Sequence, residues 1–429
     1  MEQIPAWLLI PFVVQLLCIA ILPLTRLGEW WESNLHKLYV SLVLGGGVSA
    51  WFFVGGHGAE IEHQMLYDYV PFILLLMALF TTTGGICIKG DLKATPLTNS
   101  CILALGYVLA SFMGTTGAAM LLIRLLIQTI SQRKYKAHTI LFFIAMVANC
   151  GGILTPLGDP PLFLLFQRGA HFTWFMGMWP EWLTCGLLLL AIYYAIDTYY
   201  YRREPEEHLA ADHAEQVRVT ATGLINILWL LCVVLSTMFI NKTYIPQMGA
   251  EDAPWYLRLL REWVFILIIL LSVLTTKRQV RQANDFSWTP ILEVACVFVG
   301  IFATMTPALM FLRQHPLPVT EPWEFVYATG ALSAFLDNAP TAMVFHATAT
   351  SLPIEGVAVA GVSEIYLRAI SMGAVFFGAL TYIGNGPNFM VKSIAEQSGI
   401  RMPSFFGYML KFSLIILLPV YILVQLIFL

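Results

Sequence analysis

The stretch TPLGDPPLFLL, residues 155–165, sets Gly158, Asp159, Pro160 and Pro161 between two apolar runs. Gly, Asp and Pro in succession belong in a surface turn. Here an apolar run, 139–154, leads into them and apolar residues resume at once. Either the chain surfaces at this point or a helix is broken inside a membrane. A break in lipid leaves backbone N–H and C=O groups without intrahelical partners, and it survives only inside protein or beside a wet cavity. Glycine permits the sharp turn, and proline removes one N–H that would need a partner.

Composition favours the membrane. Of 429 residues, 58% are hydrophobic and 11% charged, where a soluble domain carries about 25% charged. Several apolar stretches reach the ~20 residues that a bilayer core requires. The chain is therefore expected to be an all-α polytopic membrane protein. The first apolar segment follows the acidic start MEQIP and lacks a basic n-region, so it reads as a retained helix. Seven scattered cysteines without a CxxC pair predict neither disulfides nor a metal cluster. There is no Walker A loop, no HExxH motif and no serine/histidine set, which argues against ATP-driven pumping and against an enzyme. The net charge of −3 gives no reason to expect nucleic acid as a partner.

Plain spanning segments are expected at 6–25, 38–55, 66–88, 173–199, 220–240, 259–276, 286–308 and 404–429. Four segments are interrupted: 99–130 by GTTG, 138–167 by GDPP, 323–350 by DNAP and 364–398 by GNGP. If 99–130 and 323–350 are re-entrant hairpins, their arms of about 13–15 residues are too short to span. One side of the membrane then receives fifteen basic residues, among them Arg133, Lys134, Lys136, Lys277, Arg278 and Arg281, and the other six. The positive-inside rule favours that scheme. It predicts about ten transmembrane helices, both termini outside and a cytoplasmic linker at 201–219.

An internal repeat follows. TPLGDPPLFLL at 155–165 aligns with TYIGNGPNFMV at 381–391, a shift of 226. SFMGTTGAAML at 111–121 aligns with SAFLDNAPTAM at 333–343, a shift of 222. The N-terminal half, 1–200, then holds helix 6–25 and a first repeat at about 38–199. The C-terminal half, 220–429, holds helix 220–240 and a second repeat at about 259–429. Helices 66–88 and 286–308 run in opposite directions, so the repeats are inverted, each with a hairpin and a broken helix. Inverted repeats with discontinuous helices are the signature of secondary transporters with a midplane site.

Asp159 lies at the first break and Asp337 at the second hairpin tip. A carboxylate at the bilayer centre usually marks an ion or proton path, although either residue could instead cap its own half-helix. Neutral oxygens gather around them: Thr115 and Thr116 at the first tip, Asn149 and Thr155 before the first break, Ser333 and Asn338 near the second tip, then Thr341, Thr381, Asn385 and Asn388. The expected cation or proton set is Asp159, Asp337, Asn338, Asn149, Thr155, Ser333 and Asn385, with Na⁺ on Asp159, Asp337 and Asn338. A carboxylate substrate would instead meet Thr115, Thr116, Gly158, Gly384, Gly386, Asn388 and Thr341, because glycine-rich tips and helix starts present N–H groups to anions. Glu293 is weighed between helix pairing and proton relay. His346 is read as packed, Arg124 and Lys392 as snorkelling to the interface or, for Lys392, paired with an acid, and Glu396 as solvated. Seven tryptophans, Trp182 among them, read as interfacial belts.

ANCGGILTPLGDPP at 148–161, SAFLDNAP at 333–340 and GNGPNFMVKSIAEQSG at 384–399 resemble the ion transporter superfamily. That group includes NhaD-type sodium/proton antiporters, citrate-metal and other carboxylate transporters, arsenite permeases and the melanosomal P protein. The resemblance implies two hairpins in an inverted repeat, a homodimer in contact with membrane lipid, elevator movement and a bacterial inner (plasma) membrane. Asn149, Asp159, Ser333, Asp337 and Asn338 match polar positions of the NhaD-type antiporters. The first hairpin departs from them, with Thr115-Thr116 where such antiporters tend to carry Asp-Asn. The leading expectation is sodium/proton exchange at the paired aspartates. The alternative is cation-coupled transport of a citrate-like carboxylate. Neither needs a cofactor beyond the coupling ion, Na⁺ or H⁺ or both.

Overall fold

The computed structural model describes residues 4–214, 217–250 and 252–429. Seven of the described helices are long and apolar enough to cross a membrane: Asn34–Val54, Gly58–Thr83, Pro96–Met113, Ala137–Leu154, Trp179–Tyr201, Thr289–Gln314 and Phe405–Phe428. Shorter apolar helices, Ala6–Ile21, Ile225–Phe239 and Leu260–Thr275, complete the bundle. Their outward faces carry Val13, Leu42, Leu228, Leu235, Leu267 and Leu274, exposed as lipid-facing side chains must be. The protein is an all-α polytopic membrane protein.

The two expected hairpins form. The first joins Pro96–Met113 to Thr115–Thr129 through Gly114, whose φ of 79° is a left-handed conformation suited to glycine. Its first arm is 18 residues, longer than its sequence suggests. It still does not cross, because Arg133 Nη1 donates to Ala94 O at 2.7 Å, so the segment leaves and returns at one end of the molecule. The second hairpin pairs Pro322–Ser333 with Asn338–Ala349. Each broken helix has three pieces. The first is Ala137–Met146, a tight turn at Cys150–Leu154 and the half-helix Pro160–Gln167. The second is Glu364–Phe377, Gly378–Leu380 and the half-helix Gly386–Gln397.

Two polar ends bound the bundle. The basic end gathers Arg133, the strand Cys87–Asp91 and Arg281, which donates to Thr81 O at 3.0 Å. The distal end gathers Arg168, His171 and Thr243, and Arg368 paired with Glu181. Gly58–Thr83 runs from the distal end to the basic end, and Thr289–Gln314 runs back, as inversion requires. The pseudo-two-fold axis passes between them. Phe72 stacks on Phe298, 226 residues later, with ring centroids 4.9 Å apart. Tyr69 Oη donates to Ala295 O, also 226 residues on, at 3.0 Å. The half-helices cross over: Pro160–Gln167 packs against Asn338–Ala349, and Gly386–Gln397 against Thr115–Thr129.

The region around the linker differs from expectation. Val217–Thr222 is a strand paired antiparallel with Cys87–Asp91, and the following helix starts only at Ile225, not at 220. Val217 and Val219 alternate with Arg218 and Thr220, a pattern that suits an exposed strand better than a spanning helix. Helix Glu206–Ala214 occupies the middle of the linker, and Asp212 accepts the N–H of Ala94 at the hairpin entrance.

Candidate functional site

The breaks are built alike. Asp159 and Asn385 precede their half-helices with nearly the same backbone, φ −146° and ψ 144° against φ −150° and ψ 140°. Thr155 donates its hydroxyl proton to Ser111 O, and Thr381 donates to Ala334 O. Each threonine hydroxyl also accepts the N–H two residues on, from Leu157 and Ile383, at 3.2 Å. Gly158 is obligatory at its turn, because a Cβ there would strike the carbonyl of Gly152.

Side chains satisfy the carbonyls that the breaks orphan. Ser111 Oγ (2.5 Å) and Trp182 Nε1 (3.2 Å) both donate to Gly151 O. Asn388 Nδ2 donates to Gly378 O (2.8 Å) and Thr381 O (3.0 Å), and Tyr408 Oη donates to Ala379 O (2.5 Å). Asn149 Nδ2 donates to Ile144 O at 2.8 Å and to Asn388 Oδ1 at 2.7 Å. Ser333 Oγ donates to Ala374 O at 2.7 Å. A buried carbonyl left without a donor would cost about 1–3 kcal/mol. These bonds are what make two breaks tolerable inside the bundle.

Asp159 is buried and does not cap its own half-helix. Its carboxylate instead accepts three neutral donors from three elements: Thr115 Oγ1 at 3.0 Å, Asn385 Nδ2 at 3.1 Å and Asn338 Nδ2. Asn385 Nδ2 also reaches Asn149 Oδ1 at 3.3 Å. Asp337 is half-buried and does cap, accepting the N–H of Ala339 at 3.0 Å, while Thr341 Oγ1 donates to its carbonyl at 2.9 Å.

A cavity of about 760 Å³, measured with its open mouth, lies where the two hairpin tips and both breaks meet. Thr115, Thr116, Gly158, Asp337, Asn338, Asn385 and Gly386 line it on one side. Phe72, Leu76, Leu79 and Phe80 of Gly58–Thr83 and Pro290, Ile291, Val294 and Phe298 of Thr289–Gln314 line the other. The last turn of the first helix and the first turn of the second place its mouth toward the basic end. No lysine, arginine or histidine lines it among the described residues.

The sequence-predicted residues thus fall into two groups. Seven face the cavity, and Asp159 stands directly behind Thr115, Asn338 and Asn385. Asn149, Thr155, Ser333, Thr341, Gly384 and Asn388 lie off the cavity wall; Gly384 is buried against the carbonyls of Gly378 and Ser333. Glu293 pairs with Lys37 at 2.5 Å, Arg124 pairs with Asp285, and Lys392 pairs with Glu396 at 2.8 Å. His346 is packed and bonds Ala360 O at 2.9 Å. Trp182 does more than the belt role expected of it, since it stacks on Tyr107 and its indole N–H serves the first break. Ser111 is the functional neighbour that sequence reasoning missed, although the repeat sets it opposite Ser333.

A search of curated proteins finds no match. A family model does match, over the whole chain: residues 1–429 fit CitMHS_2, described as "Putative citrate transport". The inverted breaks and the cavity between them agree with a transporter, and the chain belongs to the CitMHS_2 family.

Proposed function

We propose that the protein is a secondary transporter that moves a citrate-like carboxylate together with a cation, Na⁺ or H⁺. The cavity between the two hairpin tips carries this reading. It is a concave site open at the basic end, where a few polar groups of both hairpin tips and both breaks converge among apolar walls, the usual make-up of a small-molecule site. The family match points the same way.

Charge dictates the coupling. A polycarboxylate entering this cavity meets Asp337, with Asp159 behind the wall, and no cationic side chain among the described lining residues. Its charge must be met by a cation that travels with it and by the N–H groups at the start of Thr115–Thr129, which no side chain caps, since Asp337 already occupies the start of Asn338–Ala349. Asp159 offers its carboxylate oxygens to that cation or to a proton, in exchange for the donor hydrogen bonds that Thr115, Asn338 and Asn385 give it here. The hairpins and half-helices form the moving body, in an elevator-type step against the two long helices that wall the cavity.

Sodium/proton exchange without a carboxylate is the second reading, supported by the isolation of Asp159 among neutral donors. Proteoliposomes separate the two. Labelled citrate should accumulate under an imposed Na⁺ or pH gradient, and citrate should be required for cation movement. A Na⁺-driven pH change without citrate, and no citrate uptake under either gradient, would replace the proposal with the exchanger.

A further inference from the structure

The cavity is open toward one end and sealed toward the other. Phe72 and Phe298 form its floor, and Phe163 lies beyond Phe72, with ring centroids 6.5 Å apart. Behind the aromatic rings the distal end of the first half-helix is tied down. Arg168, which follows Pro160–Gln167, pairs with Asp68 at 2.8 Å. Gln167 Nε2 lies 3.3 Å from both Tyr67 O and Asp68 O. Asp68 belongs to a π-helical turn, Gln64–Tyr69, within Gly58–Thr83, and such turns recur at functional sites.

The second repeat has no ion pair at the strict equivalents, which are Val294 and Ile394, but it carries an acid and a base beside them: Glu293, one residue before Val294, and Lys392, two residues before Ile394. Glu293 sits on the first turns of Thr289–Gln314, and Lys392 on the half-helix Gly386–Gln397. Those two elements form facing walls of the open cavity, through Pro290, Ile291 and Val294 on one and Gly386 and Pro387 on the other. Lys392 instead pairs with Glu396, one turn along its own helix, and Glu293 is held by Lys37 while remaining 48% exposed.

We infer that the protein carries two ion-pair latches that close in alternation: Arg168–Asp68, engaged here, and Lys392–Glu293, which engages when the second half-helix swings onto Thr289–Gln314 and shuts the cavity. Inverted repeats supply the physical reason, since alternating access rocks or gates one repeat against the other around a midplane site, closing one side as the other opens. Lys37 stays beside Glu293 on the same helix pair, and Glu396 gives up Lys392. The inference rests on the alternating access implied by the proposed function, but not on the identity of the solute.

Paired cysteines test it, in a full-length chain whose seven native cysteines are replaced by alanine and which retains uptake. Asp68→Cys with Arg168→Cys, and Glu293→Cys with Lys392→Cys, are treated in proteoliposomes with a short bismaleimide. Each cross-link should stop transport, and adding citrate with Na⁺ should move the two yields in opposite directions. Yields that rise and fall together, or a second pair that never links while uptake proceeds, overturn the inference. If the cysteine-free chain does not fold, charge reversal replaces it. Lys392→Glu should slow uptake about tenfold, and adding Glu293→Lys should restore most of the loss. A double variant no better than the single one overturns the inference. If Na⁺ alone shifts the yields and citrate is not transported, the latches stand and the substrate assignment falls.

Discussion

Asp159 and Asn385 occupy one place in two copies of the same backbone turn, yet one is charged and the other neutral. The hairpin tips show the reverse: Thr115-Thr116 in the first half stands opposite Asp337-Asn338 in the second. The repeat has kept its geometry and divided its charge, one carboxylate to each half and in different positions. Proximity gives the reason. Asn385 Nδ2 lies 3.1 Å from Asp159 Oδ1, so a second aspartate there would set two carboxylates in contact inside protein. Like charges so placed cannot both ionise. An amide turns the same contact into a donor, and Asn338 does so from the opposing tip.

Exchanging these residues tests the comparison most severely. Asp159→Asn should cut coupled uptake by about 100-fold, the loss expected when about 3 kcal/mol of ion binding disappears. The double exchange Asp159→Asn with Asn385→Asp should recover part of that loss, because the carboxylate returns to the same cluster. Initial rates in proteoliposomes measure both, and a double variant as inactive as the single one would show that the two positions are not interchangeable. Asp337→Asn should have a smaller effect, about tenfold on uptake, because the amide oxygen can still accept the Ala339 N–H while the charge is lost. Unchanged uptake and Na⁺ dependence would reduce Asp337 to a cap.

The turns themselves give the smaller effects. Gly158→Ala should lower stability in detergent by about 1–3 kcal/mol, the usual cost of overpacking, read as an earlier thermal unfolding midpoint. A variant as stable as the parent would mean that the turn can open. Trp182→Phe should cost about 0.5–1.5 kcal/mol, the worth of one hydrogen bond, and nearer the low end because Ser111 still serves Gly151 O. A loss well beyond that range would mean that the indole supports the break by packing more than by its N–H.

The breaks and tips are legible in the sequence because Gly, Pro and Asp inside a long apolar run do not fit an unbroken helix in lipid. The repeat is legible because the two copies retain their order and spacing. Thr155 and Asn388 stand in the right neighbourhood, but their hydroxyl and amide groups are spent on backbone carbonyls, a use that residue type does not distinguish from ligand binding. The strand at 217–222 is hidden because its partner, Cys87–Asp91, lies far away in sequence. The contact of Trp182 with the first break is hidden because an aromatic near a helix start looks the same whether or not its indole N–H meets a broken turn.

By itself, the sequence determined that this chain spans a membrane many times, that it is interrupted at four places, and that its halves share one plan. Those properties follow from hydropathy, backbone stereochemistry and residue order, which need no partner in space. Only the tertiary structure decided that Asp159 gathers donors from three elements while Asp337 caps a helix, that both tips and both breaks share one cavity, and which end of it is open. These depend on contacts between residues as far apart as Asp159 and Asn385, and distance through space is not written in distance along the chain.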